Sequence, residues 1–204
     1  MRRVHLGPRL TLPKRSTRTR RRPEPSRPPA LVALTRPRTR DGTISGSVFG
    51  RSIRAARASD TGPVLNVLRT AFRPYRSEYT STAYQATVLN ATMLRRRLRS
   101  MTVLVALSAS GVVVGTIGVK AISRDHAHLR GMAVLPRYQG RGVGAALLRA
   151  AVRTARASGG RRLTLETTAP LARAERFYLR HGFRRNGRTR RWGGMRLIGF
   201  ERRI

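Results

Sequence analysis

The chain has 204 residues, 40% of them apolar, which suits one domain of ordinary size plus an appendage. It has no cysteine, so disulfides, thiolate nucleophiles and cysteine-ligated metals are excluded. The formal net charge is +36, from 44 Lys+Arg against 8 Asp+Glu.

All the basic residues except Lys14 and Lys120 are arginine, and they are spread along the whole chain. A charge this large attracts nucleic acid, ribosomes or acidic surfaces. An arginine-favouring coding background gives the same surplus, and arginines spread along the whole chain rather than in one stripe favour that reading. No apolar run approaches membrane-spanning length, and no apolar segment follows the basic start as a secretory signal requires. The expectation is a cytoplasmic protein without membrane contact.

Residues 1–48 are rich in Arg, Pro, Ser and Thr, with TRTRRRPEPSRPP at their centre. So few apolar residues cannot offset the entropy of ordering, and this extension is expected to be disordered. It reads as a nucleic-acid-binding arm or as a mis-assigned start. Residues 49–204 form the expected domain.

Ser52 to Ala56 reads as the first strand, with Asp60 or Thr61 as N-cap ahead of Pro63. Val64, Leu65, Val67, Leu68 and Phe72 make a helix face. Residues 74–100 read as a looser region with one further helix, ending in Arg95-Arg96-Arg97. Thr102 to Leu107 and Val112 to Ile122 are β-rich and joined by the turn Ser108-Ala-Ser-Gly111. His128 to Leu135 and Arg162 to Thr167 are strands on either side of a helix that Gly159-Gly160 stops. Leu171 to Arg180 is helical, and Phe183 to Thr189 and Met195 to Ile204 are the last strands.

The glycine-rich turn between Leu135 and that central helix carries the chemistry. Pro136 closes an apolar strand, Gln139 leads into Gly140, Gly142 and Gly144, and Val143, Leu147, Leu148, Ala151, Val152 and Ala155 then recur at helical spacing. Glycines let backbone approach a ligand, and the first N–H groups of the helix are unpaired, so a phosphate-bearing cofactor is expected here. A P-loop is excluded because no Gly-Lys-Ser/Thr follows. Gly140-x-Gly142-x-x-Ala145 formally fits the Rossmann fingerprint, which keeps a dinucleotide-dependent oxidoreductase as one alternative.

Gln139-x-x-Gly142-x-Gly144 also resembles the pyrophosphate signature of GNAT-superfamily N-acetyltransferases, written Q/R-x-x-G-x-G/A. Ala174-x-x-x-Tyr178 followed by His181-Gly182-Phe183 resembles a second segment of that family. The likeness covers roughly residues 52–204. It implies an α/β (α+β) GNAT acyl-CoA N-acyltransferase fold, a mixed, mostly antiparallel sheet flanked by helices, and acetyl-CoA as the cosubstrate. Met132, Ala133 and Val134 would then receive the pantetheine arm. Gln139, Gly140, Arg141, Gly142, Val143, Gly144 and Ala145 would hold the pyrophosphate, with Ala174 making room beside Tyr178. One departure stands out: many members carry an asparagine near Leu171, and this chain does not.

The resemblance makes Tyr178 the proton donor to the leaving thiolate. Its other reading is a core residue beside Phe177. Two residues could take the proton of the attacking amine: Glu166, on the strand face opposite Leu163 and Leu165, and His128. The alternation of that strand favours Glu166. His126 and His128 lack a third ligand at useful spacing, so no metal is expected. The resemblance implies a primary amine as acceptor, on a small molecule or a protein, which residues 74–100 and the loop before Met195 would meet. A non-enzymatic nucleic-acid- or ribosome-associated protein on the same scaffold is the other alternative. The oligomeric state stays open between monomer and homodimer.

Overall fold

Val113 to Ala121 is buried over most of its length, on both faces, as expected of a strand covered by helices on either side. The computed structural model describes residues 43–44 and 52–204. Its strands are β1 (Thr43–Ile44), β2 (Ile53–Ala55), β3 (Thr102–Leu107), β4 (Val113–Ala121), β5 (His126–Val134), β6 (Arg162–Thr168), β7 (Arg184–Trp192) and β8 (Met195–Arg203). Helices α1 (Thr61–Phe72), α2 (Ser81–Val88) and α3 (Ala91–Ser100) lie between β2 and β3. Helix α4 (Val143–Ala157) precedes β6, and α5 (Ala172–Arg180) follows it. The sheet order is β1-β2-β3-β4-β5-β6-β8-β7, and only β5 and β6 run parallel. One parallel pair in an otherwise antiparallel sheet rules out the Rossmann alternative. Among the described residues no helix is long and apolar enough to cross a membrane.

Helix α4 buries Val143, Leu147, Leu148, Ala151, Val152 and Ala155 against the sheet, the face its spacing foretold. Three other expectations need correcting. Residues 74–100 hold two helices, because Leu89 takes a left-handed turn (φ 58°) and Asn90 Oδ1 caps the next helix by accepting from Met93 N at 2.9 Å. Asp60 caps no α-helix with its side chain. Its carboxylate instead accepts from both terminal nitrogens of Arg54, at 2.6 and 2.9 Å, and from Arg57 N at 2.6 Å. Finally, Ile53–Ala55 is the second strand of the sheet, since Thr43–Ile44 pairs with it from within the stretch expected to lie outside the domain. The rest of residues 1–48 falls outside the described residues.

A bulge in β5 sets the faces of the site. Ala133 pairs with Thr116 and Arg130 with Gly118, so Gly131 and Met132 together oppose Ile117. Gly131 adopts φ +60°, and the Arg97 guanidinium fills the space a side chain there would need. The extra residue reverses the alternation. His126, His128 and Arg130 share the face of Gly118, which packs on Met101 beyond α3. Met132 and Val134 share the opposite face, that of Gly115, which packs on Leu147 and Val143 of α4.

Candidate active site

Strands β5 and β6 pair only through His126–His128 and Arg162–Thr164, and then part. Beyond that point β5 pairs with β4 alone and β6 with β8 alone, leaving one backbone edge of residues 129–134 open toward the gap. The glycine turn sits at the end of this open edge. Gly142 is left-handed (φ +81°) and caps α4 without any side-chain cap. Side chains at Gly140 or Gly142 would meet nothing within 4 Å, so the backbone faces open space. No described residue accepts from the N–H groups of Val143, Gly144 and Ala145. Gln139 braces the turn from behind, donating Nε2–H to Val134 O at 3.0 Å and accepting from Arg173 at 3.2 Å. These are the donors a phosphate group needs at a helix N-terminus.

Tyr178 reaches the gap from α5. Its ring is buried against Phe177, Phe183 and Phe200 at centroid distances of 5.4, 5.6 and 6.4 Å, and its hydroxyl donates to Met132 Sδ at 3.4 Å. Burial pushes the phenol well above its ordinary pKa, so it keeps its proton at neutral pH. A Cβ on Gly144 would lie 3.2 Å from Met132 Cε, so the turn, Met132 and Tyr178 form one contiguous surface. Thr167 Oγ1, on the parted stretch of β6, is the one buried side-chain oxygen without a hydrogen-bond partner among the described residues.

The other face of the sheet is polar. Thr164 Oγ1 lies 2.8 Å from His126 Nε2 and 2.9 Å from His128 Nδ1. Glu166 is clamped by Arg190, whose Nε and Nη2 donate to the two carboxylate oxygens at 2.7 and 2.6 Å. That pairing holds Glu166 below the ordinary carboxylate pKa. Burial pulls His128 down to about 4, so it is neutral at pH 7. At the end of β6, Tyr79 Oη and Thr168 Oγ1 are 2.6 Å apart and buried. The β7–β8 turn closes beside them, with Thr80 Oγ1 donating to Gly193 O.

The sequence model of the acetyltransferase (GNAT) family matches residues 64–183, more than half the chain, including the glycine turn, Met132, His128, Glu166 and Tyr178. The chain belongs to the GNAT family. The protein is therefore an acetyltransferase with acetyl-CoA as its cosubstrate, which sets aside a non-enzymatic role for the scaffold. No curated protein sequence matches the chain.

Solved structures agree on the fold. The PaiA N-acetyltransferase of Thermoplasma acidophilum, in complex with coenzyme A, is 18% identical, with a TM-score of 0.65 over 76% of this chain and 99% of that one. An acetyltransferase from Streptococcus agalactiae is 20% identical, with a TM-score of 0.62 over 77% and 100%. A GNAT acetyltransferase from Elizabethkingia anophelis with acetyl-CoA bound is 15% identical, with a TM-score of 0.56 over 76% and 99%.

Within this GNAT fold the residues singled out from the sequence divide by face. Met132, Val134 and Tyr178 line the gap on the α4 side, with Ala174 one turn before Tyr178 and partly buried in the core. Gly140, Arg141, Gly142, Val143, Gly144 and Ala145 make the turn, and the Val143 side chain is core. Ala133 turns away from Met132 and is buried on the opposite face. Glu166 and His128 lie together on that face. Sequence reading missed Thr164, Thr167, Tyr79 and Arg190. The alternation of β6 puts Thr164 on the Glu166 face, but its bond to two histidines depends on strand register.

Proposed function

We propose that this enzyme moves the acetyl group of acetyl-CoA to a primary amine of a small molecule or protein, with Tyr178 as general acid and His128 as general base. The observation that carries the reading is the Tyr178 hydroxyl, held in the gap between parted strands with no stronger acceptor than Met132 sulfur among the described residues. When bound, acetyl-CoA supplies an activated thioester. The chain's own groups fit it. Among the described residues none accepts from the N–H groups of Val143, Gly144 and Ala145, and the buried hydroxyl of Thr167 lacks a partner. The open edge of residues 129–134 can pair with an extended ligand as with another strand. The coenzyme A and acetyl-CoA seen in two of the similar structures support this donor.

Tyr178 holds the proton that the leaving sulfur of bound acetyl-CoA would take up. Burial disfavours both phenolate and thiolate, so desolvation of the site leaves their proton balance close to that in water. On the opposite face Glu166 spends both oxygens on Arg190, which favours His128 over it as the base. Nε2 of His128 has no partner among the described residues, and the neutral ring can take a proton as the amine's N–C bond forms.

The test is a screen of small amines and peptides for release of CoA, followed by pH–rate profiles of His128→Gln and Glu166→Gln on the acceptor found. A drop of about 10²-fold or more in His128→Gln, with Glu166→Gln near wild type, is expected. The reverse pattern would reinstate Glu166 as the base.

A further inference from the structure

Arg97 stands where a helix facing the sheet calls for an apolar residue. It lies one turn after the buried Leu94 and next to the partly buried Leu98, on the sheet side of α3. Met101, a turn further on, packs on Gly118, the residue that pairs with Arg130. Arg97 therefore shares the face of His128 and Arg130. Its guanidinium fills the place of the side chain that Gly131 lacks, beside the bulge in β5.

That guanidinium has no counter-ion among the described residues. Asp60, Glu166, Glu175 and Glu201 are each paired with another arginine, and no described acid or carbonyl reaches Arg97. Nor is it sealed off. Among the described residues Thr167 Oγ1 is the one buried side-chain atom without a partner, so the nitrogens of Arg97 are open to solvent, as is His128 Nε2. A guanidinium drawn partly out of water beside a second cation is a standing cost, and a methionine or leucine would fill the bulge without it. Burial and the nearby Arg130 pull its pKa down to about 10, which leaves it charged at pH 7. Arginine only donates, and its planar fork matches the two oxygens of a carboxylate.

We propose that Arg97, with Arg130 beside it, binds a carboxylate carried a few bonds from the acceptor amine. This rests on the reading that the amine meets the face of His128. Strand residues advance about 3.3 Å each, so the place Arg97 fills lies about 7–10 Å along β5 from His128. A hydrogen bond of about 2.9 Å at either end takes up most of that span and leaves room for the few bonds between an amine and a nearby carboxylate. A free amino acid meets this description, and so does the acidic first residue of a peptide. Arg190 does not compete for the carboxylate, because Glu166 already occupies its fork.

The experiment follows CoA release by the full chain with two matched sets of acceptors: free amino acids beside their amides, and aspartyl beside asparaginyl peptide amides. In one set kcat/KM should favour the carboxylate-bearing member by roughly 10–100-fold, as expected for hydrogen bonds to a charged group. Preference in the first set assigns the carboxylate to a free amino acid, and preference in the second alone assigns it to a peptide. Arg97→Met keeps the apolar bulk and should bring that ratio close to one through the KM of the acceptor, while Arg97→Lys should fall between. Because Arg97→Met removes an unpaired cation, Tm should hold or rise. A wild type indifferent to the carboxylate in both sets would overturn the proposal, as would Arg97→Met with the wild-type ratio. Equal losses on both members of a set together with a lower Tm would make Arg97 a packing residue and overturn it too. If no amine of any kind is acetylated, the transfer reading itself falls. If amines are acetylated without regard to the carboxylate, only this inference falls.

Discussion

Tyr178→Phe separates a proton donor from a packing residue. The substitution keeps the ring contacts with Phe177, Phe183 and Phe200 and removes only the hydroxyl. Among the described residues that hydroxyl makes one bond, to a thioether sulfur at 3.4 Å, and sulfur is a weak acceptor. Its loss should cost less than about 1 kcal/mol, against a net of about 0.5–1.5 kcal/mol for an ordinary hydrogen bond. For a domain of this size that shifts Tm by no more than about 4 °C. If the hydroxyl returns the proton to the leaving sulfur, kcat should fall about 10²–10⁴-fold, or roughly 3–5 kcal/mol of barrier. The KM for acetyl-CoA should stay within about threefold. Steady-state release of CoA and a thermal melt on the same preparation give both numbers. An unchanged kcat with a lower Tm would refute the acid assignment and leave Tyr178 as core.

Gly142→Val should abolish measurable CoA binding in calorimetry, whereas Gly111→Val, equally left-handed (φ +77°) but in the β3–β4 hairpin, should cost similar stability and keep affinity. Equal affinities in the two variants would contradict the placement of pyrophosphate at the turn. Asp60→Asn should destabilise the domain by about 1.5–3 kcal/mol, because it leaves Arg54 without its charged acceptor. The Arg54 guanidinium holds the Asp60 pKa down, so the stabilisation is present above the ordinary carboxylate pKa and is lost as pH falls through the lowered one. His128 adds a second acid-sensitive term. With its folded pKa at about 4 against an ordinary 6.5, the unfolded chain binds a proton between those values that the folded chain does not. Denaturant titrations should therefore show stability falling by up to about 3 kcal/mol from pH 6.5 to 4, and His128→Gln should flatten that decline.

Features encoded within one element were readable in the chain itself. Helix α4 buries the residues its spacing selected, and β3 spans Thr102–Leu107 as its composition required. The glycine turn was legible because its residue types answer a local backbone demand. Relations between elements were not. Tyr79 meets Thr168 across 89 positions and Arg190 meets Glu166 across 24, and no local pattern encodes such pairs. The favouring of Glu166 as base came from strand alternation, which shows a face but not the cation that occupies it. Leu89 hid the break between α2 and α3, because a left-handed leucine runs against residue preference and holds only where its surroundings fix it. Asp60 looked like a helix cap, yet its carboxylate is drawn to the Arg54 guanidinium.

The bulge at Gly131–Met132 lets one strand serve two masters. A regular strand would send His128 and Met132 to the same side, so that any change suiting one partner would disturb the other. With the extra residue, positions 126–130 answer to β6 and β7 on one side, and positions 132–134 answer to α4 and α5 on the other. The first half can drift to accommodate a new acceptor while the second half keeps its bond to Tyr178 intact. Shortening the strand by one residue at Gly131 would force a choice: Met132 leaves Tyr178, or the histidines leave Thr164. The independence of the two halves hangs on a single glycine, pinned from behind by Arg97.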